Sequence, residues 1–300
     1  MQIQRYEMTG CKQCPRRCGA DRVGGKTGFC GVGNTPVIAR AAPHFGEEPC
    51  ISGTRGSGAV FFSGCTLRCV FCQNYGLSRA TLGKEITVGR LRDIFLELRD
   101  QGVHNINLVT ASHFTHAIVK ALDGLELGIP VVWNSSGYES AETLRQLEGL
   151  VQVYLPDFKY MDASLSARYS AAPDYPEIAA AAISEMVRQT GPFQLDSDGM
   201  LQRGVLIRHL ILPEQGENTR RVIDWVANTF SPDEVMFSLM SQYTPVGDLR
   251  QYPELQKPVS PALDAQLYDY LMNSSIENGF YQDLEAATGA MIPKFDNTGV

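Results

Sequence analysis

Residues 58–72 read Gly58-Ala59-Val60-Phe61-Phe62-Ser63-Gly64-Cys65-Thr66-Leu67-Arg68-Cys69-Val70-Phe71-Cys72. The first six residues are an apolar run of strand length, and the loop that follows carries three cysteines at Cys-x3-Cys-x2-Cys spacing. In parallel α/β sheets and barrels, ligand sites lie beyond the carboxyl ends of the strands. We therefore expect Cys65, Cys69 and Cys72 to lie at such a strand end and to bind a metal cluster.

The number of cysteines in this loop indicates an open cluster. A cubane iron–sulfur cluster takes four ligands, so three thiolates without a nearby fourth leave one iron free for an outside ligand. Closed metal sites are typically structural, whereas catalytic sites keep one position open. The alternatives from the residues alone are a zinc knuckle and chance spacing.

The other five cysteines also lie in the first quarter of the chain. Cys11, Cys14, Cys18 and Cys30 lie in a glycine-rich segment that cannot build its own core, so a bound metal would supply the folding energy. Zinc and an iron–sulfur cluster use the same four thiolates, and both fit this spacing. The alternative from the residues alone is four free, buried thiols. Cys50 has no partner at ligand spacing and is expected to be a buried thiol.

Composition excludes several classes of protein. The 300 residues are 44% hydrophobic and 20% charged, with a formal net charge of −7, which does not favour binding of nucleic acid or anionic membranes. No stretch approaches the roughly 18 apolar residues of a membrane span. The start, Met1–Glu7, lacks the basic and apolar regions of a signal peptide. We expect a cytoplasmic protein, in whose reducing environment clustered cysteines bind metal instead of forming disulfides.

The remainder of the chain alternates short apolar runs with helical periodicity, which predicts an α/β fold. Together with the first strand, about six βα units give an open, partial (β/α)6 TIM-type barrel at 56–300, preceded by a cysteine-rich metal-binding extension at 1–55. The further strands are predicted at Asn105–Ala111, Pro130–Asn134, Val151–Asp157, Val205–Leu212 and Glu234–Met240. The helices are predicted at Val88–Gln101, His116–Leu127, Ala141–Leu147, Ala179–Thr190, Thr219–Phe230 and Ser260–Asn278.

Polar residues follow or end the predicted strands, where barrel enzymes carry their chemistry. Asp157 and Lys159 flank Phe158 and share one side of a strand, which suits a zwitterionic ligand. The candidate cofactor-binding residues at these ends are Ser112, His113, Asn134, Ser135, Asp157, Lys159 and Arg208.

The cysteine loop resembles the Cys-x3-Cys-x-aromatic-Cys signature of the radical S-adenosylmethionine superfamily. The resemblance implies that Cys65, Cys69 and Cys72 hold a [4Fe–4S] cluster whose open iron binds the amino and carboxylate groups of S-adenosylmethionine. It also implies that Phe71 lies near the adenine.

The whole chain is similar to the PflX-type branch of the pyruvate formate-lyase activating enzyme family. The similarity covers the N-terminal cysteine loop, the stretch His44–Pro49, the segment Ser52–Asn74 and the end Ile292–Asp296. It implies that Asn134-Ser135-Ser136-Gly137 and Asp157-Phe158-Lys159 contact S-adenosylmethionine and a monovalent cation, and that Arg208 touches the cofactor. Thr110-Ala111-Ser112-His113 replaces the family's Gly-Gly-Glu, and Asn134 replaces an aspartate.

The resulting functional hypothesis is a radical S-adenosylmethionine oxidoreductase. Reductive cleavage of the cofactor would give a 5′-deoxyadenosyl radical that abstracts hydrogen, with a flavodoxin- or ferredoxin-type one-electron donor. The resemblance favours a glycyl-radical enzyme as protein substrate. Two alternatives stay open, namely radical modification of a small molecule or another protein, and a non-catalytic iron–sulfur electron carrier.

Overall fold

The computed structural model describes residues 10–286 and 293–300. Its strands are β1 Val37–His44, β2 Ser57–Phe62, β3 Lys84–Glu85, β4 Ile106–Val109, β5 Val131–Ser135, β6 Val153–Pro156, β7 Gln194–Leu195, β8 Leu201–Leu210, β9 Val235–Met240 and β10 Gly279–Gln282. Its helices are α1 Pro49–Ser52, α2 Tyr75–Ser78, α3 Val88–Asp100, α4 Thr115–Leu122, α5 Ala141–Leu144, α6 Ala163–Ser170, α7 Tyr175–Thr190, α8 Gly216–Thr229 and α9 Pro261–Met272. Short 3₁₀ turns cover Ser112–Phe114, Arg145–Leu147, Pro253–Gln256 and Leu284–Ala286.

Most strands join one large, mainly parallel sheet. Its order is β10-β9-β8-β6-β5-β4-β2-β1-β3, and β7 pairs antiparallel with β8 beside this path. The strands from β2 to β10 along this order pair in parallel, whereas β1 and β3 are antiparallel additions at one edge. This is a mixed α/β fold with the architecture of a partial, unclosed TIM-type barrel, as predicted.

Helix α3 illustrates how the sequence sets the outer layer. The Thr87 side chain accepts a hydrogen bond from the Arg90 N–H at 3.0 Å and so caps the first turn. The buried residues recur three and four positions apart and form one apolar stripe. These residues are Leu91, Ile94, Phe95 and Leu98.

The opposite face of the sheet lines the barrel interior in two layers. The lower layer is apolar: Val132, Val153 and Leu206 pack against Cys50 and Ile51 of α1. Alternation along a strand places Asn134 on the same face as Val132 and Arg208 on the same face as Leu206, one step nearer the carboxyl ends. A polar layer therefore lies between the apolar plug and the barrel mouth.

The C-terminal segment 293–300 returns to the antiparallel edge of the sheet. The Asn297 N–H donates to the Ala39 carbonyl at 2.9 Å, and the Ala41 N–H donates to the Thr298 carbonyl at 2.8 Å. The Phe295 ring meets Phe61 edge-on at 5.5 Å between centroids. Strand β1 is thus paired on both sides.

The six strands and six helices expected from the sequence are present, with shifted ends. The last predicted helix is too long, because α9 ends at Met272 with Asn273 as its C-cap. The seventh parallel strand, β10, begins directly after the region given to that helix and was missed. Residues 37–52, placed in the extension from sequence, contribute β1 to the main sheet and α1 to the barrel interior.

The prediction for Met1–Glu7, and Ile292 of the C-terminal resemblance, fall outside the described residues. Within those residues, no helix has both the length and the apolar character needed to cross a membrane.

Candidate active site

The cysteine loop leaves β2 at the carboxyl ends of the parallel strands, as expected. Gly64 begins the loop with φ 86°, and a Cβ there would lie 2.7 Å from the Cys30 carbonyl oxygen, so only glycine fits. The Gly64 N–H donates to the Leu77 carbonyl at 2.8 Å, which ties the loop to α2. Arg68 is also left-handed, with φ 56°.

The three thiols are free and lie in a dry environment. Cys65 is 8% exposed and Cys69 is 6% exposed, and Cys72 is partly buried. The N–H groups of Leu67 and Arg68 both approach the Cys65 sulfur at 3.4 Å. Burial raises the pKa of Cys65, and it raises the pKa of Cys72 to about 12. Forming thiolates here therefore needs a strong nearby positive charge, such as iron provides.

Lys159 supplies a protein cation beside the thiols. Its ammonium lowers the pKa of Cys65 and of Cys72 against the larger effect of burial. The Lys159 Nζ also donates to Asp157 Oδ2 at 2.7 Å. Burial would lower the pKa of Lys159, but Asp157 and Cys69 outweigh it and keep the ammonium charged. The donor set therefore fits a negatively charged, cysteine-bound cluster.

Arg208 organises the polar layer below the thiols. Its Nε donates to Asp157 Oδ1 at 3.0 Å, its Nη1 to Glu47 Oε2 at 2.8 Å and its Nη2 to Asn134 Oδ1 at 2.7 Å. Glu47 Oε1 accepts in turn from the side-chain amides of Asn134 at 3.0 Å and Asn107 at 3.2 Å. All three nitrogen positions of the guanidinium are thus used within the chain.

Three carboxyl groups surround the two cations of this layer. Burial raises the pKa of Glu48, which is 2% exposed and whose Oε2 lies 3.9 Å from Arg208 Nη1. Burial would also raise the pKa of Asp157, but Arg208 and Lys159 hold it below its usual range. Arg208 therefore contacts the carboxyl groups of Glu47, Glu48 and Asp157, and Lys159 contacts that of Asp157.

Phe71 is buried in an aromatic cluster. Its ring lies 6.4 Å from Tyr160, 6.2 Å from Tyr169 and 6.2 Å from Tyr243, measured between centroids, in edge-to-face arrangements. The Tyr160 hydroxyl hydrogen-bonds Ser170 Oγ at 2.8 Å, and burial, with Cys69 nearby, raises the pKa of Tyr160 well above its usual value. These rings form a water-excluding wall against the cysteine loop.

The predicted residues at the next strand ends are engaged within the protein. Ser112 Oγ donates to Glu139 Oε1 at 2.6 Å, and Ser135 Oγ accepts from the Gly137 N–H at 3.2 Å. His113 is 2% exposed, and its Nε2 lies 2.8 Å from the Ser63 carbonyl oxygen. The structure therefore places His113 behind the start of the cysteine loop, with burial lowering its pKa to about 3.

Tyr175 joins the two loops that carry the other candidates. Its hydroxyl lies 2.8 Å from the carbonyl oxygens of both Ser136 and Asp157, and it accepts from the Lys159 N–H at 2.9 Å. Gly137 makes this approach feasible, because a Cβ there would lie 2.4 Å from the Asp157 carbonyl oxygen.

The four N-terminal cysteines lie in a segment without helix or strand. This segment packs against the loop that carries Cys65, Cys69 and Cys72. Among the described residues, no three His, Cys, Asp or Glu side chains are already gathered tightly enough to hold a single metal ion. A cubane cluster spreads its thiolates over separate irons, so its ligands need no such tight set. Cys50 is buried as expected, and burial raises its pKa to about 12.

The structure brings together Cys65, Cys69, Cys72, Lys159 and Asp157, and through Asp157 it adds Arg208 and Asn134. Sequence reasoning missed the inward-pointing Glu47 and its partner Asn107, together with Tyr175 and Glu139. Glu47 lay within the stretch His44–Pro49 that carries the family resemblance, which was the available signal. Tyr175 and Glu139 offered none, because their partners are set by tertiary structure.

Part of this chain resembles known proteins in sequence. The model of the radical SAM superfamily matches residues 59–164. An uncharacterised protein of Methanocaldococcus jannaschii, MJ0674, is 28% identical over 267 residues, which cover 86% of this chain and 72% of that protein.

Two solved structures are also similar. The structure of Streptococcus suis SuiB bound to precursor peptide SuiA matches with a TM-score of 0.50 and 14% identity, over 75% of this chain and 48% of SuiB. A domain of pyruvate-formate lyase-activating enzyme from Bacteroides vulgatus matches with a TM-score of 0.36 and 12% identity, over 65% of this chain and 91% of that domain.

This chain thus spans about half the length of SuiB, and the likeness to SuiB concerns the fold. The superfamily match covers most of β2, the cysteine loop and the strand ends at Asn134 and Asp157. Residues 59–164 of this chain are thus similar to the radical SAM superfamily.

Proposed function

We propose that the protein is a radical S-adenosylmethionine enzyme that uses Cys65, Cys69 and Cys72 to bind a [4Fe–4S] cluster. The observation that carries the proposal is the placement of three free thiols beside the Lys159 ammonium at the carboxyl ends of a parallel sheet. No cysteine follows residue 72, so the loop offers three thiolates and leaves one iron position open.

When bound, the cluster and S-adenosylmethionine supply one-electron reductive cleavage and a 5′-deoxyadenosyl radical that abstracts hydrogen from a substrate. The protein keeps water from this chemistry with the buried rings of Phe71, Tyr160 and Tyr243. Lys159 offsets the negative charge of the thiolates. Asp157 and Asn134, both held by Arg208, present carboxylate and amide oxygens below the thiols, where polar groups of the cofactor can be oriented.

Ser112, His113 and Ser135 act on the site through the backbone in this proposal. His113 holds the Ser63 carbonyl at the loop entry, and Ser112 is fixed by the Glu139 carboxyl. Their side chains are used inside the chain, so these residues hold the strand ends in place around the cofactor site.

We also propose a class of substrate. The resemblance to activating enzymes favours a glycine Cα of a partner enzyme as the hydrogen donor, with a flavodoxin- or ferredoxin-type protein as electron donor. The structural neighbour SuiB was solved with a precursor peptide. A peptide or protein substrate is therefore our preferred class, ahead of a small molecule.

The experiment is an assay of cofactor cleavage by the anaerobically purified protein, reconstituted with iron and sulfide. We expect 5′-deoxyadenosine and methionine on addition of dithionite and S-adenosylmethionine. Cys69→Ala should abolish both products, whereas Cys50→Ala, which changes a buried thiol outside the loop, should retain them. A cluster without cleavage in the wild type would instead favour an electron carrier.

A further inference from the structure

The loop that carries the four N-terminal cysteines lacks a core of its own. Residues 10–36 form no helix or strand, and the cysteines apart, Val32 and Pro36 are the apolar side chains buried there. The other buried side chains are Gln13 and Arg22, which is 2% exposed. Apolar burial cannot hold such a segment in one conformation, whereas a bound metal can.

The cysteines of this loop lie on chain segments that fold back on one another. The Gly19 N–H donates to the Cys11 carbonyl at 3.1 Å and the Cys11 N–H donates to the Ala20 carbonyl at 3.0 Å, which brings the segment of Cys18 beside Cys11. A Cβ on Gly28 would lie 3.0 Å from the Cys18 sulfur and 3.6 Å from the Cys30 sulfur, so these two thiols border the same glycine. Cys11, Cys14 and Cys30 are buried, and Cys18 is exposed. A metal bound by these thiols would replace the core that the loop lacks.

The same loop rests directly on the cluster-binding loop. The Cys65 N–H donates to the Cys30 carbonyl at 3.3 Å, and Arg68 Nη1 donates to the Phe29 carbonyl at 3.0 Å. Arg22 Nη1 donates to the His113 carbonyl at 2.7 Å. The backbone of Cys30 and of its neighbour Phe29 therefore contacts the loop that carries Cys65, Cys69 and Cys72.

Arg16 makes the strongest connection. It lies between Cys14 and Cys18, and its Nε donates to the Thr66 carbonyl at 2.9 Å while its Nη2 donates to the Leu67 carbonyl at 3.3 Å. The guanidinium also binds the carbonyls of Ser170 and Ala171 and lies 4.0 Å over the Phe29 ring.

The two carbonyls that accept from Arg16 belong to peptide units whose N–H groups approach the sulfur of Cys65, one of the proposed cluster ligands. The Thr66 carbonyl shares its peptide with the Leu67 N–H, and the Leu67 carbonyl shares its peptide with the Arg68 N–H. Both N–H groups approach the Cys65 sulfur at 3.4 Å. A cation on the carbonyl side polarises each peptide and strengthens the N–H donor on the other side.

We propose that Cys11, Cys14, Cys18 and Cys30 bind a second, thiolate-ligated metal centre, and that this centre tunes the cluster through Arg16. The second half of the proposal rests on the function proposed above. Loading draws the thiols together and fixes Arg16, which orients the N–H groups on Cys65. Hydrogen bonds to cluster sulfurs raise the reduction potential, so Arg16 is a positioning residue for electron uptake.

The metal centre is tested in a full-length variant that lacks the main cluster, Cys65→Ala, Cys69→Ala and Cys72→Ala combined. After anaerobic purification and reconstitution, we expect a stoichiometric metal, measured as zinc, iron and sulfide per chain. Zinc without sulfide identifies a zinc site, and iron with sulfide identifies a cluster. Adding Cys14→Ser and Cys30→Ser should remove it. A triple variant without stoichiometric metal would overturn the proposal.

The coupling is tested by the reduction potential of the main cluster in the otherwise intact protein. We expect Arg16→Gln to lower the potential and Arg16→Lys to restore part of it. Arg17→Gln changes the exposed neighbour of the same loop and should leave the potential unchanged. Equal potentials in Arg16→Gln and Arg17→Gln would exclude a tuning role for Arg16.

These outcomes separate this proposal from the proposed function. If residues 65–72 bind no cluster, the wild type and the triple variant hold the same metal, and the proposed function fails while the N-terminal centre stands. If the cluster forms and cleaves cofactor but the triple variant is metal-free, the N-terminal centre fails alone.

Discussion

Glu47 and Arg208 lie 161 residues apart in sequence, and Glu47 Oε2 accepts a hydrogen bond from Arg208 Nη1 at 2.8 Å inside the barrel. The pair links the turn before α1, which carries Glu47, to strand β8, which carries Arg208. Its side chains are 9% and 14% exposed, so the charges depend on each other instead of on water.

Breaking this pair should destabilise the fold strongly. Glu47→Ala leaves the Arg208 guanidinium partly unpaired in a buried layer, and we expect a loss of about 3 kcal/mol in the free energy of unfolding. The matched control is Glu97→Ala, which removes an exposed partner of Arg90 and should cost about 1 kcal/mol or less. Urea unfolding of both variants measures the difference, and equal losses would contradict the role given to Glu47.

Tyr175 should affect both stability and cofactor binding. Tyr175→Phe removes the hydroxyl shared by Ser136, Asp157 and Lys159, at an expected cost of about 1 to 3 kcal/mol. The loops after β5 and β6 then lose their common anchor, and the KM for S-adenosylmethionine should rise. Tyr154→Phe is the control, because its hydroxyl bonds Gln189 away from the thiols. It should lose stability without a change in KM.

Lys159 should influence the redox properties of the cluster. Removing its positive charge from beside the thiolates disfavours the more negative, reduced cluster, so Lys159→Met should lower the reduction potential. Cofactor cleavage should fall about 10- to 100-fold, as is typical when outer partners of metal ligands are changed. Lys84→Met changes an exposed lysine of β3 and should behave as wild type. A titration followed by electron paramagnetic resonance gives both potentials, and an unchanged value for Lys159→Met would argue against this placement.

Buried histidines should make the protein sensitive to acid. Burial lowers the pKa of His209 to about 4, and its ring contacts the Phe158 carbonyl at 2.6 Å and Thr219 Oγ1 at 2.9 Å. Because the folded state binds the proton less readily than the unfolded state, this stability is full above about pH 6.5 and is lost as the pH falls towards 4.

The expected slope is about 1.4 kcal/mol per pH unit for His209 within that window. His209→Gln should be less stable at neutral pH and should show a shallower decline on acidification. Urea unfolding at about pH 7 and about pH 5 measures this. Parallel declines for wild type and variant would show that His209 does not contribute.

The features of this protein that could be predicted from sequence are those that neighbouring residues encode. Cys65, Cys69 and Cys72 lie within one loop, and the apolar run before them marks its strand. The alternation of βα units likewise gives the sheet, because periodicity is a local property. Strand β10 was missed because its four residues, Gly279–Gln282, are short and follow a region with helical character.

The polar layer inside the barrel could not be predicted from local sequence. Nothing in the local sequence of Glu47 indicates that a turn would carry it into the barrel to meet Asn107 and Arg208. His113 was expected at the cofactor because it follows a strand, yet its side chain turns to the Ser63 carbonyl. Side-chain direction in such loops depends on neighbours from other elements, which a single sequence does not display.

The central claim is that three cysteines hold a cluster with one open iron that binds S-adenosylmethionine. The most direct measurement is Mössbauer spectroscopy of the reconstituted protein before and after addition of S-adenosylmethionine, with the combined Cys65→Ala, Cys69→Ala and Cys72→Ala variant as background. We expect one iron site of the cluster to change its parameters when the cofactor is added, and this cluster to be missing from the variant. A cluster whose iron sites all stay unchanged with the cofactor, or one that persists in the variant, would contradict the account.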